Sequence, residues 1–397
     1  MASILEFVRR KENNAEEDDL GRKILKHRLT VIYRFFLAFV IAVAIAAIVY
    51  VQMKNHVYKA YDVVAHIDWE AASDAKTIAL GENILTYSKD GAQCIDKEGT
   101  SVWNRTFEMQ NPMIDTCEQT IAIGDYNGRT IYLMNSSAII GEIDTKMPIR
   151  DFCVSETGIV AAVLDDGNVT WIYLFDQSGN TIAYFKTTMK KSGYPVSVTI
   201  SNTGTLVGVS YLYMDSGIMR TSVAFFNFGE VGQNKIDNFV SSYDYSDTVV
   251  PVLHFIGNDR AVAVADNRLV FYEGDQIPVS KADVLLEGEI ESVFYGNRYV
   301  ALVYNDTSGA AKYRVDLYDA DGKLVEQVPI DMAFTDLLFN KDKMIVYNEQ
   351  ECLVHTVGGM NNYEGRFDKP VTLLVTTDAK YRYVVVTPDG IDTIELK

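Results

Sequence analysis

Two hydrophobic patterns divide the chain. Residues 35–51, FFLAFVIAVAIAAIVYV, form an unbroken apolar run without a charge, a proline or a glycine. From about residue 57 onward, apolar residues come in short β-branched and aromatic runs separated by turn signals, and no 3.6-residue apolar period is sustained. The first pattern predicts one long helix and the second an all-β domain.

Within the β region one hairpin recurs. ILTYSKDGAQCID (84–96), IAIGDYNGRTIYLMN (121–135) and VAAVLDDGNVTWIYLFD (160–176) each carry Gly, Asn or Asp at the tip, where a tight turn needs left-handed backbone. The pattern returns at 206–226, 261–273, 300–319, 344–356 and 383–396, which makes eight hairpins. Their spacing of roughly 36–50 residues, built of strands alone, is that of propeller blades, with each hairpin as the two middle strands. Runs before the hairpins, from MIDTC (113–117) to TLLVT (372–376), supply inner strands. Runs after them, such as SVWNRTF (101–107) and TIAYFK (181–186), supply outer strands. The expected fold is an all-β, eight-bladed β-propeller. Seven blades would follow from one miscounted hairpin around 229–290, where the spacing is irregular. The last blade shows only three strands, and YKAYDVVAHIDW (58–69) is a strand without a hairpin of its own. The expectation is that 58–69 pairs in the last blade (371–397) and so removes the ring's open edge.

The apolar run is long enough to matter for location. Seventeen residues rise about 25 Å as a helix, and flanking residues extend it to a bilayer core of about 30 Å. The run starts late, and no small-residue cleavage site with a polar stretch follows it, which disfavours a cleaved signal peptide. Arg22, Lys23, Lys26, Arg28 and Arg34 crowd its N-terminal flank, against Lys54 and Lys59 on the other. This bias predicts a single-pass anchor through residues 31–53 in a lipid bilayer, a cytoplasmic polar tail over 1–30, and an extracytoplasmic propeller over 57–397.

Charge and cysteines narrow the function. The net charge is −18 over 397 residues. A surface this acidic repels phosphate backbones, so no nucleic-acid partner is expected. Cys94, Cys117, Cys153 and Cys352 form no CxxC or Cys/His pattern, so no metal site is expected. Cys117 and Cys153 fall at similar places in adjacent repeats, which leaves buried thiols and a disulfide as alternatives.

The stretch CIDKEGTSVW (94–103) resembles the blade signature of quinoprotein-type and outer-membrane-assembly-type propellers, through Asp96, Gly99 and Trp103. LFDQSGNTIAYF (174–185) is similar, through Asp176, Gly179 and Tyr184, and LYDADGKLVEQV (317–328) keeps Asp319 and Gly322. The layout resembles an uncharacterised family of single-pass, membrane-anchored propeller proteins of Gram-positive anaerobic bacteria, with WD-repeat-like or PQQ-like blades. That resemblance implies an aromatic docked between blades and no assigned reaction.

Residue chemistry points away from catalysis. With only three Trp, and no adjacent cysteines, a quinone cofactor is not expected, and no other cofactor is implied. The DADG of 319–322 lacks the later acid of a calcium loop. His66, His254 and His355, the histidines of the propeller, have no motif-spaced nucleophile and are read as packing or surface residues. No catalytic residue is expected. Two long stretches read as top-face loops: 187–195, with Lys190, Lys191 and Tyr194, and 241–251, with Tyr243, Asp244, Tyr245 and Asp247. Tyrosines beside charged groups suit a partner or ligand surface. The expected function is therefore a non-catalytic protein-binding or scaffolding module at the cell envelope, with an envelope protein partner. The alternative is a glycan- or peptide-binding enzyme or sensor working from the same face.

Overall fold

The computed structural model describes residues 26–29, 31–52, 56–70, 72, 74–167, 169–187 and 193–397. They fall into two units, 1–56 and 57–397. In the first, a helix over Lys26–Gln52 is long and apolar enough to cross a membrane by length and composition. The tail before residue 26 lies outside the described residues.

The second unit is an eight-bladed β-propeller, with four antiparallel strands in each blade. The first seven blades span 76–106, 112–144, 149–187, 194–246, 252–285, 290–330 and 336–366. The eighth joins the two ends of the domain: Leu373–Thr376, Arg382–Thr387 and Gly390–Leu396 carry Tyr61–Asp68 as their outer strand. The register runs from Tyr61 opposite Leu396 to Asp68 opposite Gly390. Lys59 N donates to Lys397 O at 3.0 Å, and Lys397 N donates to Ala60 O at 2.8 Å. The spacing is irregular around 229–290 because a short helix (Glu230–Gln233) and a 3-10 turn (Ile236–Asn238) are inserted before the outer strand of the fourth blade.

The core explains why the middle strands read as near-continuous apolar runs. Eight buried clusters lie at the eight seams between neighbouring blades. In the third blade, Ala161 and Val163 face the fourth blade, while Val160, Ala162 and Leu164 face the second. Both faces of a middle strand are thus removed from water, so its apolar positions need not alternate. The last seam sets Ile84 and Ile95 of the first blade against Val375, Val384 and Val386 of the eighth, which closes the ring.

The Asp–Gly signature is a turn. Asp96 Oδ1 accepts from Glu98 N at 3.0 Å and Thr100 N at 2.8 Å. Asp176 and Asp319 repeat this on their own turns. Gly99 and Gly322 have φ of +77° and +81°, and a Cβ there would collide with Ile67 and Phe271 of the preceding blade. The turn therefore needs glycine twice, for its backbone angle and for close approach. Trp103 docks between blades, donating Nε1–H to Asn135 O at 2.7 Å. Tyr184 does not. It is 60% exposed and stacks on Tyr173 of its own blade.

Candidate functional site

In each blade the turn between the two middle strands and the connection to the next blade lie at one end, here the top. The most elaborate feature there is the middle hairpin of the fourth blade. Its strands, Leu206–Asp215 and Ile218–Asn227, are each ten residues long. Ser216 and Gly217 at the tip have φ of 52° and 84°, the paired left-handed angles of a two-residue hairpin turn. Arg220 braces the tip against Asp215 at 3.1 Å. Around it Met214, Ile218 and Met219 stand 62%, 44% and 46% exposed.

Below the tip, a groove of about 570 Å³ runs along the seam with the third blade, lined by Phe185, Tyr211, Tyr213, Phe226, Phe239 and Asp244 among others. Among the described residues, Asp244 is thus the one sequence candidate in this groove. Tyr243, Asp244 and Tyr245 are not in a loop. They belong to the outer strand Phe239–Ser246, whose two-residue alternation sends Asp244 one way and the tyrosines the other. Tyr243 donates to Pro278 O at 3.1 Å, and Tyr245 and Tyr272 share a 2.6 Å hydroxyl bond, so both serve the seam with the fifth blade. Asp247 sits after the strand with φ of 55°. Tyr194 begins an inner strand and is 39% exposed. Lys190 and Lys191 lie outside the described residues. Met214, Ile218 and Met219 carried one signal in the sequence, a middle hairpin several residues longer than most of its equivalents.

The central channel is a second concave feature. The open edges of the inner strands face it, and polar side chains satisfy them. Asp115 Oδ2 accepts from Val154 N at 2.7 Å, and Thr199 Oγ1 accepts from Phe255 N at 3.1 Å, each reaching across to the next blade. Asn297 donates to Glu118 at 3.0 Å, linking the sixth blade to the second, its opposite in an eight-membered ring. Glu118 and Asn297 stand in the shared wall of two cavities. One, of about 310 Å³, is walled by inner strands of the second to sixth blades and holds Asp115, Asp151, His254 and Tyr295. The other, of about 590 Å³, opens among bottom turns and holds Glu82, Arg298, Lys341 and Asp378.

Burial dominates the titration of the first cavity. It pushes Asp115 up to about 7 and Asp151 up to about 6, since ionising either places a charge in a poorly hydrated wall. It pulls His254 down to about 4, which leaves a neutral imidazole near pH 7. All four cysteines are free thiols, and burial raises the thiol pKa of each. His66 and His355 are structural: His66 bonds Asp392 across the closing strand pair, and His355 meets Asn361 at 2.8 Å and Glu326 at 3.1 Å. Among the described residues, no group of three or more His, Cys, Asp or Glu converges to hold a metal ion.

A closed ring of eight four-stranded blades around a polar lumen defines an eight-bladed β-propeller. The chain belongs to the family of unknown function DUF5711, which matches residues 54–396. No curated protein matches it. Among solved structures, it is similar to Sqt1 of Chaetomium thermophilum bound to the N-terminus of the ribosomal protein L10, with 12% identity over 85% of this chain and 100% of that one, and a TM-score of 0.52. Apo AztD of Citrobacter koseri is similar at 10% identity over 78% and 90% of the two chains, with a TM-score of 0.52. BamB of Moraxella catarrhalis is 11% identical over 84% and 99%, with a TM-score of 0.49. At these identities the likeness is one of fold.

Proposed function

We propose that this protein is a membrane-anchored, extracytoplasmic interaction module that binds a protein partner at the cell envelope and catalyses no reaction. The observation that carries this reading is the lengthened hairpin of the fourth blade, with exposed Met214, Ile218 and Met219 at its tip. A soluble domain gains nothing in stability from solvated methionines. Grouped flexible methionines do suit a surface that repacks against a partner. The groove below, with its aromatic wall and Asp244, extends the same surface. The Sqt1 propeller holding the N-terminus of a ribosomal protein illustrates how such a ring docks a peptide segment.

Anchoring rests on the helix Lys26–Gln52, whose 27 residues span about 40 Å at 1.5 Å per residue, and on the basic residues at its N-terminal flank. Labelling of cysteines engineered on intact cells tests it. A cysteine at Ser216 should react with a membrane-impermeant reagent, and one at Lys11 should react only after lysis. The reverse pattern would exclude an extracytoplasmic propeller. The binding claim is tested by co-purification of the full-length protein and of a Met214→Ser/Ile218→Ser/Met219→Ser variant, in which the envelope protein recovered with the wild type should be lost.

A further inference from the structure

The outer strands of the blades differ at their two ends. The top holds the turn between the middle strands, so each outer strand starts at the bottom. In six blades that bottom end carries a large apolar residue in solvent: Val102, Ile139, Ile182, Val279, Leu324 and Met360. Each lies within one residue of the strand's start and is 36–50% exposed. In the fourth blade Phe239 holds this place and also lines the aromatic groove. Within one residue of the top end of the same six strands, Leu285 is the single exposed large apolar residue among the described residues. Exposed apolar residues scattered singly need no explanation, but a set confined to one level of a ring does.

The chain enters the propeller at this same level. The outer strand of the eighth blade, Tyr61–Asp68, starts at the bottom, and Tyr58 N donates to Asn362 O at 2.6 Å, two residues from Met360. Residues 53–57 are all that join Tyr58 to the apolar helix ending at Gln52. The six residue steps from 52 to 58 span at most about 21 Å. The apolar level is therefore the part of the propeller tied most closely, through the chain itself, to the helix.

We propose that this bottom rim is a lipid-contact surface, with its apolar side chains seated among the headgroups of zwitterionic phospholipid. The proposal rests on the reading of the helix as a membrane anchor. Geometry selects a bilayer over a protein. The six residues belong to six blades on both sides of the chain entry, at one level of the ring. A planar partner meets all of them at once, whereas a protein interface of ordinary size covers a sector. The short tether keeps that plane within reach. Charge selects the headgroup. The bottom turns beside the rim carry Lys97 and Lys323 against Glu98, Asp275 and Asp321, so an anionic surface is not attracted and apolar insertion supplies the contact. Seated in this way, the propeller is kept from swinging on its tether, and the lengthened hairpin of the fourth blade is held facing away from the bilayer.

The test is fluorescence quenching of the full-length protein in phosphatidylcholine nanodiscs. An NBD fluorophore is placed on single cysteines at the rim (Ile139→Cys, Leu324→Cys, Met360→Cys), in the helix (Ile48→Cys) and in a top turn (Tyr126→Cys), with the labelling background of the wild type subtracted. The quencher is phosphatidylcholine carrying a nitroxide at a shallow acyl position. The helix label should be quenched, and each rim label at least twofold more than the label at position 126. Replacing part of the lipid with phosphatidylglycerol should not increase rim quenching. Adding Val279→Ser/Met360→Ser should reduce quenching of the label at position 324 at least twofold, with the helix label unchanged; both substituted residues are exposed, so the fold is expected to tolerate them. Rim labels quenched no more than the label at 126, beside a quenched helix label, would overturn the lipid contact and leave the anchor standing. The same pattern with self-quenching between two rim-labelled copies in one disc would overturn it in favour of a second copy of this chain. Rim quenching that needs phosphatidylglycerol would overturn it in favour of an electrostatic surface. An unquenched helix label would overturn the anchor, and the rim contact with it.

Discussion

In the eighth blade, Ile391, Ile394 and Leu396 are all 5% exposed or less, and their strand pairs with Tyr61–Asp68 along most of its length. In the fourth blade the strand Leu206–Asp215 carries Met214 62% exposed one residue before its end, and its neighbour begins with Ile218 and Met219 nearly half exposed. One blade turns its apolar side chains inward to close the ring. The other carries them past the last seam contact into solvent. The difference separates residues that hold the fold from residues free to serve a partner, and substitutions in the two blades should part company.

The largest effect is expected in the closing blade. Ile394→Ala removes a side chain 2% exposed between the seventh and eighth blades and should cost about 2–5 kcal/mol in denaturant unfolding. Gly390→Ala should cost about 1–3 kcal/mol, since a Cβ there would lie 2.3 Å from Ile67 O in the paired strand. Hydrogen exchange over 61–68 and 390–396 should rise in that variant, while exchange in the fourth blade stays unchanged. Matching protection in wild type and variant would mean that the chain-end pairing does not limit stability.

The channel carboxyls belong to neither blade and report through pH. Asp115 and Asp151 bind protons more tightly folded than unfolded, so the folded state is favoured at low pH and loses stability as pH rises from about 4 to about 7. Asp115→Asn/Asp151→Asn should flatten this dependence and raise the melting temperature at pH 8. A wild-type stability that climbs through this window would contradict the assigned burial. Substituting Met214, Ile218 and Met219 by serine should change stability by no more than about 0.5 kcal/mol each while abolishing partner recovery. The smallest effect is expected at His66. Its pairing with Asp392 raises its pKa, so its contribution is complete below about pH 6.5 and fades as pH rises through the raised value. His66→Gln should remove only that slope.

The fold was legible because a propeller repeats its signals. Eight hairpins carry turn residues at their tips, and a surplus strand at 58–69 stands against a missing fourth strand after 396. The outer strands Phe239–Ser246, Val279–Leu285 and Asn361–Arg366 were not legible. An outer strand is half solvated and carries the serines, lysines and asparagines of a loop. This makes SSYDYSDTVVP (241–251) read as a binding loop, although the period of two in the strand Phe239–Ser246 sets Tyr243 and Tyr245 against the fifth blade. The channel was illegible for another reason. Asp115, Asp151 and His254 lie on three separate inner strands, visible one at a time, and only ring closure brings residues so far apart in sequence into one cavity.

The most direct test of the account is site-specific photocrosslinking in living cells, with the crosslinker at Ile218 on the hairpin or at Leu324, an exposed residue at the bottom end of the sixth blade's outer strand. The account predicts one reproducible envelope protein captured from Ile218 and not from Leu324. Capture of the same protein equally from both positions, or of none from Ile218, would contradict a partner-binding top face.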